Sequence, residues 1–239
     1  MQSKLTATDL QIIACSPVFC GLLPGLVDEV VAPATAVSLR RQEPIVRQGD
    51  PASAFYIVID GWVKLYRNSA SGDESIIEIM SQGGSFGEVD ALTGQTYFFG
   101  ADAASDVRLA WIPAGHVIRG IAARPELALS LMRSISQHVH YLVQQVEQLK
   151  AQSVVQRVAE FLVSLSPEKE GPCTLALPYG KVLIAGQLGL MPESLSRAFA
   201  RLRSIGVEVG AGRVAVNDMA KLRQLAADSR NAVRATLQP

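Results

Sequence analysis

The side chains best suited to chemistry in this sequence lie in one short run, Pro192-Glu193-Ser194-Leu195-Ser196-Arg197. Arg197 carries a planar fork that matches O6 and N7 of a guanine. Glu193, four residues earlier, can accept from a cytosine amino group, and each such pair is worth roughly 1–3 kcal/mol of discrimination between bases. Ser196 shares their face if the run is helical. Lys181, Ser194, Arg201 and Arg213 are candidates for phosphate contact, which adds affinity without sequence information. Arg203 reads as an ordinary solvated cation. The bland alternative for Glu193 and Arg197 is a surface ion pair at i, i+4, worth a few tenths of a kcal/mol.

These side chains need a scaffold, and Ile184 to Leu202 supplies its pattern. Ala185, Gly189 and Leu195 fall at the small, turn and core positions of a helix-turn-helix. Ala185 lets two helices approach, and Gly189 permits the left-handed backbone of the turn. Leu188, Leu190, Leu195, Ala198 and Leu202 form an apolar stripe at helical spacing. Pro192 suits the first position of the second helix, and Glu193 suits the positive end of its dipole. Met191 is anomalous, because an N-cap is usually Ser or Thr and losing one costs about 0.5–2 kcal/mol. After the second helix, Val207-Glu208-Val209, a turn at Gly210-Ala211-Gly212 and Arg213 to Val216 predict a two-stranded wing. A short last helix is expected over 218–227, with a frayed polar tail beyond Asp228.

Upstream, Pro125 to Ala151 predicts one helix without internal proline or glycine, roughly 40 Å long at 1.5 Å per residue. Met132, Ile135, Val139, Leu142, Val146 and Leu149 recur at spacings of 3 and 4, a heptad seam; the strict alternation favours packing against a second copy in parallel, the alternative being packing on the roll of the same chain. Val154 to Leu165 continues as an amphipathic helix, and Thr174 to Leu177 as a short strand. Between Thr35 and Pro113 the texture is short strands separated by turns: Ala36–Leu39, Glu43–Val46, Phe55–Ile59, Trp62–Tyr66, Glu74–Met80 and Ser105–Ile112. Asp60-Gly61 is a strong hairpin signal, and Ser71-Gly72-Asp73 marks another turn. The set predicts a small antiparallel barrel or roll. Thr8 to Val31 reads as short helical pieces docked by Phe19, Leu22, Leu23 and Leu26.

Length and composition agree with two domains and a connector. The net charge of zero conceals an asymmetry: residues 1–149 carry −5 and residues 150–239 carry +5, so a polyanion partner is expected for the C-terminal part. Cys15, Cys20 and Cys173 are odd in number and scattered, which argues for reduced thiols. No run of eighteen apolar residues and no signal-peptide core occur, so a cytoplasmic, membrane-free protein is expected. Enzyme motifs are missing: there is no nucleophile elbow, zinc motif or phosphate loop. Gly83-Gly84-Ser85-Phe86-Gly87 precedes no lysine and reads as corners of the roll.

From about Phe19 to Leu225 the order of these pieces resembles the CRP/FNR family of bacterial transcription regulators. The echoes are Gln48-Gly49-Asp50, Phe55-Tyr56-Ile57-Val58 before Asp60-Gly61, Phe86-Gly87-Glu88, and Pro192-Glu193-Ser194-Leu195-Ser196-Arg197. The resemblance implies an α+β chain: a cyclic-nucleotide-binding-type β-roll with short helices over 1–124, a dimerisation helix and hinge over 125–152, and a winged helix-turn-helix over 153–239. It implies that Glu193, Ser196 and Arg197, matching the Glu-x-x-Ser-Arg of the FNR branch, read TTGAT-like half-sites of an inverted repeat. The implied partners are double-stranded DNA, a second copy of the chain and RNA polymerase.

Leu190-Met191-Pro192-Glu193 is most similar to the nitric-oxide-responsive NNR/DNR branch. That branch implies a small-gas or haem sensor, with His138 or His140 as the axial-ligand candidates and His116 as a third. The implied effector pocket comprises Tyr56, Gly87, Glu88, Tyr97, Phe98, Phe99 and Leu142. Cyclic-AMP-binding members grip the cyclic phosphate with an Arg-Ser about ten residues after Gly-Glu. Here Gln95-Thr96-Tyr97-Phe98-Phe99 has no arginine, and Leu142 and Val143 stand where hydroxyls would contact adenine, so cyclic AMP is not expected. An iron–sulfur cluster is not expected either, since two N-terminal cysteines cannot supply four ligands. The competing reading is a cyclic-nucleotide-binding regulatory module with cyclic AMP or another nucleotide as ligand.

Overall fold

The computed structural model describes residues 2–69 and 72–236, without side chains at 2, 145, 147–151 and 228–236. The expected turn residue Ser71 and the side chain of Leu149 fall outside the described residues. The chain separates into two compact units, residues 1–140 and 141–239.

The first unit opens with β1 (Gln2–Ser3), α1 (Ala7–Cys15) and α2 (Pro24–Val31). Strands β2 (Thr35–Leu39), β3 (Pro44–Val46), β4 (Ala54–Asp60), β5 (Val63–Asn68), β6 (Glu74–Met80) and β7 (Ser85–Phe86) follow. After α3 (Glu88–Leu92) come β8 (Gly100–Ala103), β9 (Val107–Pro113), α4 (Ala114–Ala123) and the long α5 (Glu126–Ala151). The strands form two antiparallel sheets, ordered β1-β2-β9-β4-β7 and β3-β8-β5-β6. This is the expected roll.

Strand β4 is buried at every position from Ala54 to Ile59, so it reads as a continuous apolar run rather than an alternating one. The chain leaves β4 through Gly61 at φ 86°, where an added Cβ would run into the carbonyl oxygen of Asp106. The hairpin expected there does not form: β4 and β5 belong to different sheets, so Asp60-Gly61 is the corner between them. Four elements of the roll have no clear sequence signal. Strands β1 and β7 are two residues long, β8 is Gly-Ala-Asp-Ala without a β-branched residue, and α3 has five residues. Pairing with neighbours creates them: β8 is held between β3 and β5, with Ala101 and Ala103 buried.

The N-terminal arm is fastened to this roll. Thr6 and Asp9 form a capping box at the start of α1, and Arg108 of β9 donates from Nη2 to Asp9 Oδ2 at 2.7 Å. The guanidinium holds the Asp9 carboxyl below its ordinary value. On α5, Leu127, Ser130, Leu131 and Ser134 are buried, and Ser130 Oγ donates to the Val18 carbonyl at 2.7 Å.

The second unit contains α6 (Val154–Ser164), β10 (Cys173–Ala176), α7 (Lys181–Gln187), α8 (Pro192–Leu202), a 3-10 turn over Arg203–Ile205, β11 (Val207–Val209), β12 (Arg213–Val216) and α9 (Met219–Thr236). Two expectations need correcting. The wing is a three-stranded sheet, because β10 pairs with β12 from Cys173 opposite Val216 to Ala176 opposite Arg213. The last helix runs to Thr236 instead of ending near residue 227. Its continuation, Asp228 to Thr236, has no proline or glycine to stop it.

Candidate nucleic-acid interface

The helix-turn-helix is built as its residue types require. Ile184 and Ala185 of α7 and Leu195, Ala198, Phe199 and Leu202 of α8 are buried in one core, with Leu188 and Leu190 packed at its edge. Phe199 belongs to the stripe at i+4 from Leu195, a member the small-residue pattern did not single out. Gly189 has φ 61°, and the turn closes with Leu190 N–H donating to the Ala185 carbonyl at 2.8 Å. A brace from outside the motif was not legible in the sequence. Arg157 of α6 donates from Nη1 to the Leu188 carbonyl at 2.7 Å.

The opposite face of α8 is polar and open. Glu193, Ser196, Arg197 and Arg201 are exposed, and Ser194 is half-buried. Ser196 Oγ donates to the Pro192 carbonyl at 3.0 Å, and Arg197 Nε to the Glu193 carbonyl at 3.4 Å. Among the described residues no ion pair joins Glu193 to Arg197. Both charges therefore stand ready for an outside partner. Lys181 at the start of α7 and Arg213 in the wing are exposed too, with Lys181 Nζ 6.0 Å from the Phe199 ring centroid. Met191 is the N-cap of α8 and makes no side-chain cap bond.

In the first unit, the structure brings most of the expected pocket residues together. The Tyr56 ring stacks on Phe86 at 5.1 Å, and Phe99 lies 6.3 Å from both Phe86 and Tyr97. Tyr97 donates its hydroxyl to the Ala54 carbonyl at 2.6 Å, and its ring lies where a Cβ on Gly87 would point. Glu88 accepts from Ser85 Oγ, and burial pushes its carboxyl up. Phe98 is set apart: its ring is 57% exposed and lies 4.0 Å from the guanidinium carbon of Arg67. Sequence reasoning missed Arg67, a cation that strand pairing brings to the arginine-free segment from 31 residues upstream. Leu142 lies in the other unit and is exposed.

The histidines have polar surroundings. His116 Nε2 is 3.1 Å from the Glu29 carbonyl oxygen, and exposed His138 lies within electrostatic reach of the half-buried Glu78 carboxyl. His140 is exposed two residues further along α5. A haem needs an apolar slot around its axial imidazole, and these surroundings do not fit one. Cys15 and Cys20 are exposed and Cys173 is half-buried. Along α5, Met132, Ile135, Val139, Leu142 and Val146 are all exposed, a row about a quarter turn round the helix from the buried Leu127 and Leu131. Among the described residues, no helix is long and apolar enough to cross a membrane.

A β-roll of cyclic-nucleotide-binding type, followed by a winged helix-turn-helix with an open polar face, defines a DNA-binding regulator carrying a sensory domain. Comparison with known proteins agrees: residues 36–124 match the cyclic nucleotide-binding domain, and residues 156–225 the Crp-like helix-turn-helix domain. A solved candidate cyclic nucleotide binding protein from Ruegeria pomeroyi is 39% identical, with 92% of this chain and 98% of that one covered and a TM-score of 0.69. The transcriptional regulator SdrP of Thermus thermophilus is 29% identical over 80% of this chain and 93% of its own length. The structure of DNR from Pseudomonas aeruginosa is 27% identical, covering 93% of this chain and all of that one, with a TM-score of 0.53. The chain belongs to the CRP/FNR family of transcription regulators, a family of DNA-binding proteins and not of enzymes.

Proposed function

We propose that two copies of this chain, paired along Met132, Ile135, Val139, Leu142, Val146 and Leu149, read an inverted repeat of TTGAT-like half-sites about one DNA turn apart. Glu193, Ser196 and Arg197 read base edges, while Lys181, Ser194, Arg201 and Arg213 hold phosphates. Residues 1–124 act as the sensor, 125–152 as dimerisation helix and hinge, and 153–239 as the reader. A small effector at the roll, around Tyr56, Gly87, Glu88, Tyr97, Phe98, Phe99 and Leu142, shifts the population toward a dimer whose reading helices fit successive major grooves. The protein acts in the cytoplasm, with RNA polymerase as its further partner.

One observation carries the base-reading assignment. On α8 a buried stripe of Leu195, Ala198 and Leu202 backs an exposed face whose Glu193 and Arg197 side chains are not paired to each other. Supporting the placement of the chain near the nitric-oxide-responsive branch are the run Leu190-Met191-Pro192-Glu193 and the likeness to DNR. Cyclic AMP does not serve as effector on this reading, because no arginine lies in 95–99 and the Arg67 that the fold brings to that segment lies over the exposed Phe98 ring. Because the surroundings of His116, His138 and His140 do not fit an axial imidazole, haem titrated into anaerobically purified protein should keep the spectrum of free haem, and a shifted Soret band would restore the haem reading.

The deciding experiment is selection of duplexes from a random library, followed by band-shift titration of Arg197→Ala. Specific binding should vanish while sedimentation shows an intact dimer. Undiminished operator affinity in that variant would remove Arg197 from the reading set.

A further inference from the structure

We propose that Met191 is a specificity-determining residue that packs on the C5-methyl group of a thymine next to the base pairs read by Glu193 and Arg197. The inference rests on the base-reading function above and deepens it.

Met191 breaks two local rules at once. It is the N-cap of α8, extended at φ −72° and ψ 145°, and its side chain makes no cap bond where Ser, Thr, Asn or Asp would bind a free helix N–H. It also leaves an apolar thioether 68% exposed. Among the described residues, Met191 is not one of those packed on the core of the second unit. Sequences that disobey local rules in this way tend to do so at functional positions.

The position decides what that function is. In a helix-turn-helix the N-terminal residues of the second helix approach the base edges of the major groove. The groove offers hydrogen-bonding groups at every base pair and one apolar group, the methyl of thymine. Glu193 and Arg197 meet the first kind of group, and Met191 is the apolar side chain at the same end of the same helix. Its unbranched, polarisable side chain adapts well to a methyl group. Val182, the other large exposed apolar side chain of the motif, stands at the start of α7, the helix that crosses the backbone, where no methyl is available.

The test uses the full-length dimer and duplexes selected by it from a random library. Each thymine of the selected sequence is replaced singly by deoxyuridine, which removes the methyl and keeps the pairing. A single uracil, in one half-site, should lower wild-type affinity roughly 4-fold, the loss expected for one buried methyl. Met191→Ser should bind both duplexes equally and melt no lower than the wild type, since serine restores the cap. Met191→Leu, which keeps an apolar contact, should stay uracil-sensitive and guards against a serine variant that fails to fold. Wild-type tolerance of uracil at every position overturns the assignment, as does a Met191→Ser protein that loses the same factor. A library that yields no consensus would instead overturn the base-reading function itself.

Discussion

Arg157 of α6 donates from Nη1 to the carbonyl oxygen of Leu188, in the turn between α7 and α8, at 2.7 Å. The cation thus meets the negative end of α7, where a helix accepts positive charge best. Its Nε is buried without a partner among the described residues, and burial pulls the guanidinium below its ordinary value. The same helix is anchored at its start by a capping box of Ser153 and Gln156, and Gln152 Nε2 donates to Glu160 Oε2 at 2.6 Å. The chain thus enters α6 through a bonded corner, and the same helix reaches with Arg157 to the turn that sets the angle of the reading helix.

Removing that arm should loosen the motif without touching its reading face. Arg157→Ala leaves the Leu188 carbonyl unpaired, a loss of about 1–3 kcal/mol. The melting temperature should fall, and affinity for selected and random duplexes should fall together. A variant that melts like the wild type would show the bond to be dispensable.

Base and phosphate contacts should separate by their salt dependence. Lys181→Ala and Arg213→Ala should each weaken binding about equally for all sequences and, by removing one phosphate contact from each copy of the dimer, reduce the slope of log affinity against log salt by about 2. Glu193→Ala should leave that slope unchanged while relaxing discrimination by roughly 1–3 kcal/mol at one position. Titrations at several salt concentrations, with matched and single-mismatch duplexes, distinguish the two patterns.

The exposed row on α5 should govern assembly alone. Val139→Asp places an unpaired carboxylate in a seam that pairing would bury, which should cost the dimer at least about 2 kcal/mol, roughly 30-fold in Kd. Because Val139 is exposed in the single chain, the variant should keep its secondary structure, as sedimentation and circular dichroism together would reveal. A dimer of unchanged strength would place the interface elsewhere.

Two carboxylates should give opposite pH signatures. Asp9 is held below its ordinary value of 3.8 by Arg108, so the stability it contributes is present above that value and is lost as pH falls through the lower folded value. Asp9→Asn should therefore melt below the wild type at neutral pH, the gap closing in strong acid. Glu88 is raised above its ordinary 4.5 by burial, so its ionisation disfavours the folded state at neutral pH and ceases to do so as pH falls. Glu88→Gln keeps an acceptor for Ser85 and should melt above the wild type at pH 7, the advantage vanishing below about pH 4. Thermal melts from pH 3 to 8 would read both slopes.

Much of this protein was decided locally and could be read from residue order. The helix-turn-helix, the β11–β12 pair of the wing, the long helix with its apolar row, and the tight turn at Asp60-Gly61 each depend on contacts within one or two turns of chain or on one backbone angle. Glycine position and apolar period report those directly. The candidate readers Glu193, Ser196 and Arg197 were legible for the same reason: a helix of known period puts them on one face. Elements without intrinsic preference were decided by tertiary structure. Strand β8 exists because β3 and β5 flank it, and β10 joins the wing because β12 offers it an edge. Long-range pairings were equally hidden, including Arg157 with the Leu188 carbonyl, Arg67 with Phe98 and Asp9 with Arg108, 99 residues apart. No periodicity encodes such pairs, because their partners become neighbours only when separate elements pack. Met191 belongs to both accounts: the sequence marked it as a missing cap, and the fold left its side chain open at the reading end of α8.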